Sequence, residues 1–328
     1  MPDMSADILP ARVMAKSRPV TVSVIIPTFR RPEGLRRAVT SILRQTGTGD
    51  LAIRIVVCDN SPAGCARPTF DALAAEAALP LVYVHEPHAG VANARNAAVA
   101  ASEAEFIAFL DDDEEAPSEW LVRLFVTQRR FDADVVFGPV KARLDDATRE
   151  HRAYYTCFFS RFGPRSSEIL GHYYGCGNSL LRAALLAGPQ PFSPLQNDMG
   201  GEDDILFTAL KKQGAVMAWA VDAPVWEDVP LHRATLAYTM RRGFAYGQGP
   251  SHSAAVNGRW PACAGWMIQG AAQAVIFAII GAVSCLARNP KTAFRLDKAA
   301  RGLGKLLWFP PFKMKFYGQA LLKKKAMP

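Results

Sequence analysis

The sequence predicts an α/β fold. A doubly wound, mostly parallel sheet flanked by helices is followed by a helical, membrane-associated C-terminal appendage. Three observations carry this. Over the first 140 residues, short β-branched runs alternate with stretches of helical spacing, as expected of strands joined by crossover helices. The apolar run Phe106-Ile107-Ala108-Phe109-Leu110 passes directly into Asp111-Asp112-Asp113-Glu114-Glu115, and ligands bind where such strands end. Finally, residues 260–287 contain no charged side chain, and the chain beyond them is strongly basic.

The 328 residues suffice for one large domain with an appendage, or for two domains, and half of them are apolar. Residues 1–18 read as a disordered leader without the apolar stretch of a secretory signal. Residues 20–26 are a β-branched run that stops at Pro27-Thr28 and predict the first, buried strand. Leu35, Ala38, Val39, Ile42 and Leu43 then recur at helical spacing. Residues 51–58 predict a second strand ending in Asp59-Asn60-Ser61, 70–78 a helix, and 81–85 a third strand. The Ala-rich stretch after Gly90 is helical, 106–110 is the central strand, 121–130 a helix and 135–138 a fifth strand. Beyond this the pattern loosens. Residues 154–162 are aromatic, and 173–181 alternate glycine with small residues, as where backbone runs close to a ligand. Residues 198–214 hold a glycine turn, an acidic cluster and an amphipathic helix closed by Gly214, and 215–221 predict another strand.

The five consecutive carboxylates admit two readings. Their repulsion is relieved by a divalent cation that carries a phosphorylated ligand, since Mg²⁺ and Mn²⁺ take one or two carboxylates plus phosphate oxygens. Alternatively they form a solvated acidic cap on the helix that Pro117-Ser118-Glu119 opens.

Charge is divided along the chain. Residues 1–240 hold 24 Lys and Arg against 29 Asp and Glu, whereas 241–328 hold 14 basic residues and one acid, Asp297. A basic tail suits anionic lipid or nucleic acid. The six scattered cysteines form no CxxC pair, which argues against zinc and for a reducing compartment. Residues 260–287 are long enough to cross a bilayer, which needs about 20 apolar residues, but include Gln269, Gln273 and Ser284. A single crossing would export the basic tail of a cytoplasmic body. An attachment in one leaflet, with Trp308, Phe309 and Phe312 as interfacial anchors, keeps both flanks on one face.

Five stretches in order resemble the family 2 glycosyltransferases: VSVIIPTFRRPEGLRRAVTSILRQT, IRIVVCDNSP, GVANARNAAVAAS, FIAFLDDDEEAPSEWL and GEDDILFTALKKQG. The resemblance covers roughly residues 20–245. It implies a GT-A domain over 19–245, a membrane-associated region over 246–328, and inverting transfer from a nucleotide-sugar donor with Mg²⁺ or Mn²⁺. Asp111 and Asp113 match the family's DxD element, with Asp113 the expected metal ligand and Asp111 on ribose or metal. Asp112 shares this run, which admits more than one register. Pro27 and Thr28 match the turn that borders the nucleoside, and Asp59 matches the acid that accepts a hydrogen bond from the base. Arg95 matches an arginine that reaches base or diphosphate, and Arg30 is a further candidate for a similar part. Gly177 and Asn178 match a strand lining the donor sugar. Asp203 matches the general base, with Glu202 orienting the acceptor or its loop and Asp204 as the rival base. His232 is the candidate to complete the metal shell, with Glu227 competing.

The absence of Gln-x-x-Arg-Trp in the sequence argues for addition of one sugar per acceptor. The expected partners are a nucleotide sugar, a glycan or lipid-linked acceptor and an anionic membrane surface, not nucleic acid. The expected location is the cytoplasmic face of the inner (plasma) membrane. Two rival readings remain, a nucleotidyltransferase and a non-catalytic nucleotide-sugar-binding scaffold. The first wants glycines in the loop after strand one, where the chain has Pro27-Thr28-Phe29-Arg30-Arg31. A dinucleotide oxidoreductase would want GxGxxG there, which is missing.

Overall fold

The computed structural model describes residues 18–197 and 201–314; the expected leader, apart from residue 18, lies outside the described residues. The chain opens with β1 (Val20–Thr28), α1 (Pro32–Leu43), β2 (Leu51–Asp59), α2 (Arg67–Glu76), β3 (Leu81–His85), α3 (Val91–Ala100) and β4 (Phe106–Phe109). It continues with β5 (Glu114–Glu115), α4 (Trp120–Phe131), β6 (Val135–Phe137), β7 (Val140–Leu144), α5 (Arg152–Phe159), β8 (Glu168–Ile169) and β9 (Ser179–Arg182). Then come α6 (Glu202–Lys212), β10 (Met217–Trp219), β11 (Val225–Val229), α7 (Leu236–Val256), α8 (Trp260–Leu286) and α9 (Thr292–Leu306).

Eight strands form the main sheet in the order β3-β2-β1-β4-β9-β6-β10-β8. β3, β2, β1 and β4 run parallel, as the alternating pattern predicts. β9 inserts antiparallel between β4 and β6, and β8 closes the edge antiparallel to β10. In β1, alternate residues face opposite layers: Val22, Val24 and Ile26 pack with α1, α2 and α4, whereas Ile25 packs with α3 and α6. Burial on both faces explains why these strands read as continuous apolar runs.

Because β2 and β4 flank β1, the chain reverses direction of winding at β1. A crevice opens at the carboxyl ends of these strands. A second sheet, β5-β11-β7, lies across that end. Sequence reasoning gave no hint of this sheet, because β5 is two glutamates and β11 reads Val-Trp-Glu-Asp-Val. An aromatic cluster of Tyr154, Tyr155, Phe158 and Phe294 joins α5 to the C-terminal helices. The expected boundary at 245/246 falls inside α7, which runs unbroken to Val256.

Candidate active site

The acidic run is not a helix cap. The first turn of α4 holds no acid, and the Glu119 side chain makes no capping bond to the helix backbone but pairs with Arg123. The carboxylates instead divide between the crevice and the protein interior. Asp112, 6% exposed, points back at β1. Its Oδ2 accepts from Thr28 Oγ1 at 2.8 Å and its Oδ1 from Arg31 at 2.8 Å. Burial pushes Asp112 up to about 6, with Arg31 opposing and Asp113 adding to the rise. Asp113 takes Arg31 at 2.7 Å and Arg233 at 3.6 Å. Glu114 is buried on β5, and its Oε2 accepts from the Asp111 backbone N–H at 2.9 Å. Its pairing partner across the second sheet is Glu227.

Asp111, Glu114 and Glu227 all bind their protons more tightly than free carboxyls. The main cause is burial in each case. The next opposing cause for Asp111 is Arg95, while Asp111 raises Glu114 and Asp113 raises Glu227, to about 8. The crevice thus gathers carboxyl groups whose charged forms are disfavoured, first by burial and then by one another. Among the described residues no group of three or more His, Cys, Asp or Glu side chains is arranged to enclose a metal. The donor set fits a hard cation that brings most of its own oxygen ligands, the usual habit of Mg²⁺ with one or two carboxylates and a bound phosphate.

Two arginines organise the far wall. Arg95, on α3, is buried, with one Nη on Glu202 and the other 3.4 Å from Asp111. It links the end of β4 to the first turn of α6. Arg161 is half-buried and donates to the carbonyls of Gly175, at 2.8 Å, and Gly177. Burial pulls its pKa down, opposed by Glu114 and Asp111. The segment held by Arg161 touches both expected reactive acids. The Cys176 N–H donates to Asp203 Oδ2 at 3.1 Å. A Cβ on Gly177 would lie 2.7 Å from Asp111 Oδ2, and one on Gly175 would lie 3.2 Å from Asp203 Oδ2. The glycine pattern at 173–181 thus reflects close approach of backbone to carboxylates.

Several expected site residues take structural posts. Asp59 is fully buried, and its carboxylate accepts from Ser61 N and Oγ, Ala66 N and Tyr83 OH at 2.6–3.0 Å. It pins the loop after β2. Asn178, at φ 53°, accepts from Trp120 Nε1 at 2.7 Å and donates to the carbonyls of Pro139 and Ala223. Its side chain faces the core, so it fixes the position of Gly177. Pro27 is buried at the end of β1 opposite Cys58. Arg30 is exposed with its guanidinium over Phe29, and the next residue, Arg31, is the one that reaches the carboxylates. His232 is exposed on the turn after β11, where its neighbour Arg233 reaches Asp113. Asp204 is exposed beside Asp203. Sequence reasoning missed Arg31, Glu114 and Arg161. Only Glu114 had a signal, as a member of the acidic run.

Strand-end acids after β2 and β4, faced by a second acidic turn at the start of α6, define a carboxylate-lined crevice at the carboxyl end of the parallel strands. The sequence profile of "Glycosyl transferase family 2" matches residues 23–187, and the chain belongs to that family. The succinoglycan biosynthesis protein ExoM of Rhizobium meliloti (strain 1021) is 35% identical over 230 residues, 69% of this chain and 73% of ExoM. ExoW of the same organism is 30% identical over 122 residues, 36% of this chain and 37% of ExoW. Among solved structures, S. aureus TarS 1–349 in complex with UDP aligns over 87% of this chain and 89% of its own, at 16% identity and a TM-score of 0.48. The alignment to the longer TarS structure covers 40% of that chain. These structural likenesses add nothing to the topology argued from the strands themselves.

Proposed function

We propose that the protein is a membrane-associated, metal-dependent, inverting glycosyltransferase. It moves a hexosyl group from a nucleotide-sugar donor to a hydroxyl of a glycan or lipid-linked acceptor at the cytoplasmic face of the inner membrane. The similarity to two succinoglycan biosynthesis proteins supports a role in making an envelope polysaccharide. The observation that carries the chemistry is that the Gly175–Gly177 segment touches both Asp111 and Asp203, so the donor-side acids and the proposed base face one crevice.

In this reading Asp113, with Asp111, holds Mg²⁺ or Mn²⁺. The cation neutralises the departing diphosphate. Pro27 and Thr28 with the Asp59 loop shape the nucleoside wall, and Arg30, exposed at its rim, is within the chain's reach of the phosphates. Asp203 takes the acceptor hydroxyl's proton as that oxygen attacks the anomeric carbon from the face opposite the leaving group. Glu202, bound to Arg95, sets the position of the turn that carries Asp203.

The test is binding and slow hydrolysis of a panel of nucleotide sugars, with Mn²⁺ and with chelator. We expect one donor to bind in a metal-dependent way. Asp113→Ala should abolish that binding. Asp203→Ala should retain it and lose about 10²–10⁴-fold in turnover. A folded protein that binds no donor under any metal rejects the reading in favour of a scaffold.

A further inference from the structure

We infer that α8 lies in the plane of an anionic membrane, its outer face sunk in one leaflet, rather than crossing the bilayer. The helix is turned inside out relative to a helix of a water-soluble core. Its buried positions are all small: Cys263, Gly270, Ala274, Gly281 and Ser284. Its large apolar residues face outward, with Ile268, Val275, Ile279, Val283 and Leu286 between 61% and 87% exposed. At 3.6 residues per turn these five fall within an arc of roughly 80°, and the small residues occupy the opposite arc. An exposed apolar strip of this extent needs a non-aqueous neighbour.

The layering and the charges identify that neighbour. α9 is sandwiched between α7 and α8. Gly304 meets the Phe244 carbonyl, and a Cβ on Gly302 would lie 2.6 Å from the Ala274 nitrogen. α8 is therefore the outermost layer. α9 runs beside it from Ser284, bonded to Arg295, to Trp266, under Lys305. That register covers about 27 Å of helix, close to the ~30 Å hydrocarbon core. A crossing by α8 would draw Arg295, Asp297, Lys298, Arg301 and Lys305 through the core beside it, which is costly for each charge. Lying flat, the same cations sit at headgroup level. Lys305 bonds Gln273 at 2.9 Å and stands 5.3 Å over Trp266, and Lys298 stands 4.9 Å over Phe277. These are stems laid along apolar rings with their charges at the polar edge. Arg259, Arg288 and Lys291 are exposed at the two ends of α8. Charge complementarity thus favours an anionic lipid surface over a second copy of the same basic face. The inference deepens the membrane part of the proposed function and is independent of the transfer chemistry.

The experiment is co-flotation of the full chain with vesicles of phosphatidylcholine alone or mixed 7:3 with phosphatidylglycerol. It compares the wild type, Ile279→Glu/Val283→Glu, and Val126→Glu, an exposed apolar residue on α4. We expect binding to the anionic vesicles to exceed binding to the neutral ones. The double variant should lose at least tenfold and Val126→Glu should match the wild type. Far-UV circular dichroism on the same samples reports folding, so failure of this inference is read apart from failure of the transferase reading. In sealed inverted membrane vesicles from producing cells, Arg259→Cys and Arg288→Cys, each in a chain whose exposed Cys65, Cys157 and Cys285 are replaced by serine, should both react with an impermeant maleimide. Reaction at one end only means a span and overturns the inference. So does a protein that remains unbound, or a lipid-free dimer that the double variant splits.

Discussion

Arg95 and Glu227 are held in opposite senses. Arg95 is surrounded by acids, and removing it would leave Glu202 and Asp111 facing a buried space without their cation. Breaking a buried pair from one side costs about 3–5 kcal/mol. Arg95→Ala should therefore lower unfolding stability in urea by roughly that amount, and Arg95→Lys should recover only part, because one ammonium cannot fork between two carboxylates. Glu227 has the reverse problem. It keeps its proton to about pH 8 in the fold against 4.5 as a free side chain, chiefly because it is buried and next because Asp113 is near. Between those values the native state holds more protons than the unfolded chain, so stability falls as pH rises through the window. In metal-free protein Glu227→Gln should remove that slope and be the more stable form at pH 8, by on the order of 2 kcal/mol relative to its effect at pH 5. Thermal unfolding of both proteins across this range checks it, and parallel pH profiles would refute it.

At the scale of elements, the short stretch between Gly175 and Asn178 governs the site. Asn178→Ala would leave the Trp120 N–H and the carbonyls of Pro139 and Ala223 without their partner. At about 1–3 kcal/mol for each orphaned group, the loss should exceed 3 kcal/mol, read from a urea midpoint. Gly177→Ala acts differently. Its methyl would press on Asp111 Oδ2, 2.7 Å away, and Glu114 Oε1, 3.1 Å away. Turnover should drop at least tenfold with a much smaller change in melting temperature. Neither consequence was legible in the sequence, where the stretch reads only as small residues near a ligand. What was legible is what the chain writes locally. The apolar runs of β1, β2 and β4, the acids at the ends of β2 and β4 and the unbroken apolar length of α8 are all one-dimensional signals. Arg161 is not, because its partners are two backbone carbonyls some 14 and 16 residues away that only the fold brings to it. β5 and β11 were hidden because they carry acids where strands usually carry apolar residues, and their pairing spans more than 100 residues.

For the whole molecule, the crevice is a place where native structure tolerates unfavourable charge, so a ligand that relieves it should tighten the entire fold. Asp113 raises the proton affinity of Asp111 and of Glu227, and Asp111 raises that of Glu227. A cation alone meets few protein ligands there, and a nucleoside diphosphate alone adds negative charge. Together they are complementary. The stabilisation from a ligand at a hundred times its dissociation constant is about 2.7 kcal/mol, which for a chain of this size amounts to a rise of roughly 5 °C or more in melting temperature. Mn²⁺ and the correct nucleoside diphosphate should therefore raise the melting temperature together by well over the sum of their separate effects. Differential scanning fluorimetry with UDP, GDP and dTDP, each with and without Mn²⁺, measures this directly. Asp113→Ala should abolish the synergy, while Asp203→Ala, which removes the proposed base and not the donor site, should keep it. Equal, additive shifts for all three diphosphates would mean that the acids at the end of β4 do not hold a cation–diphosphate pair.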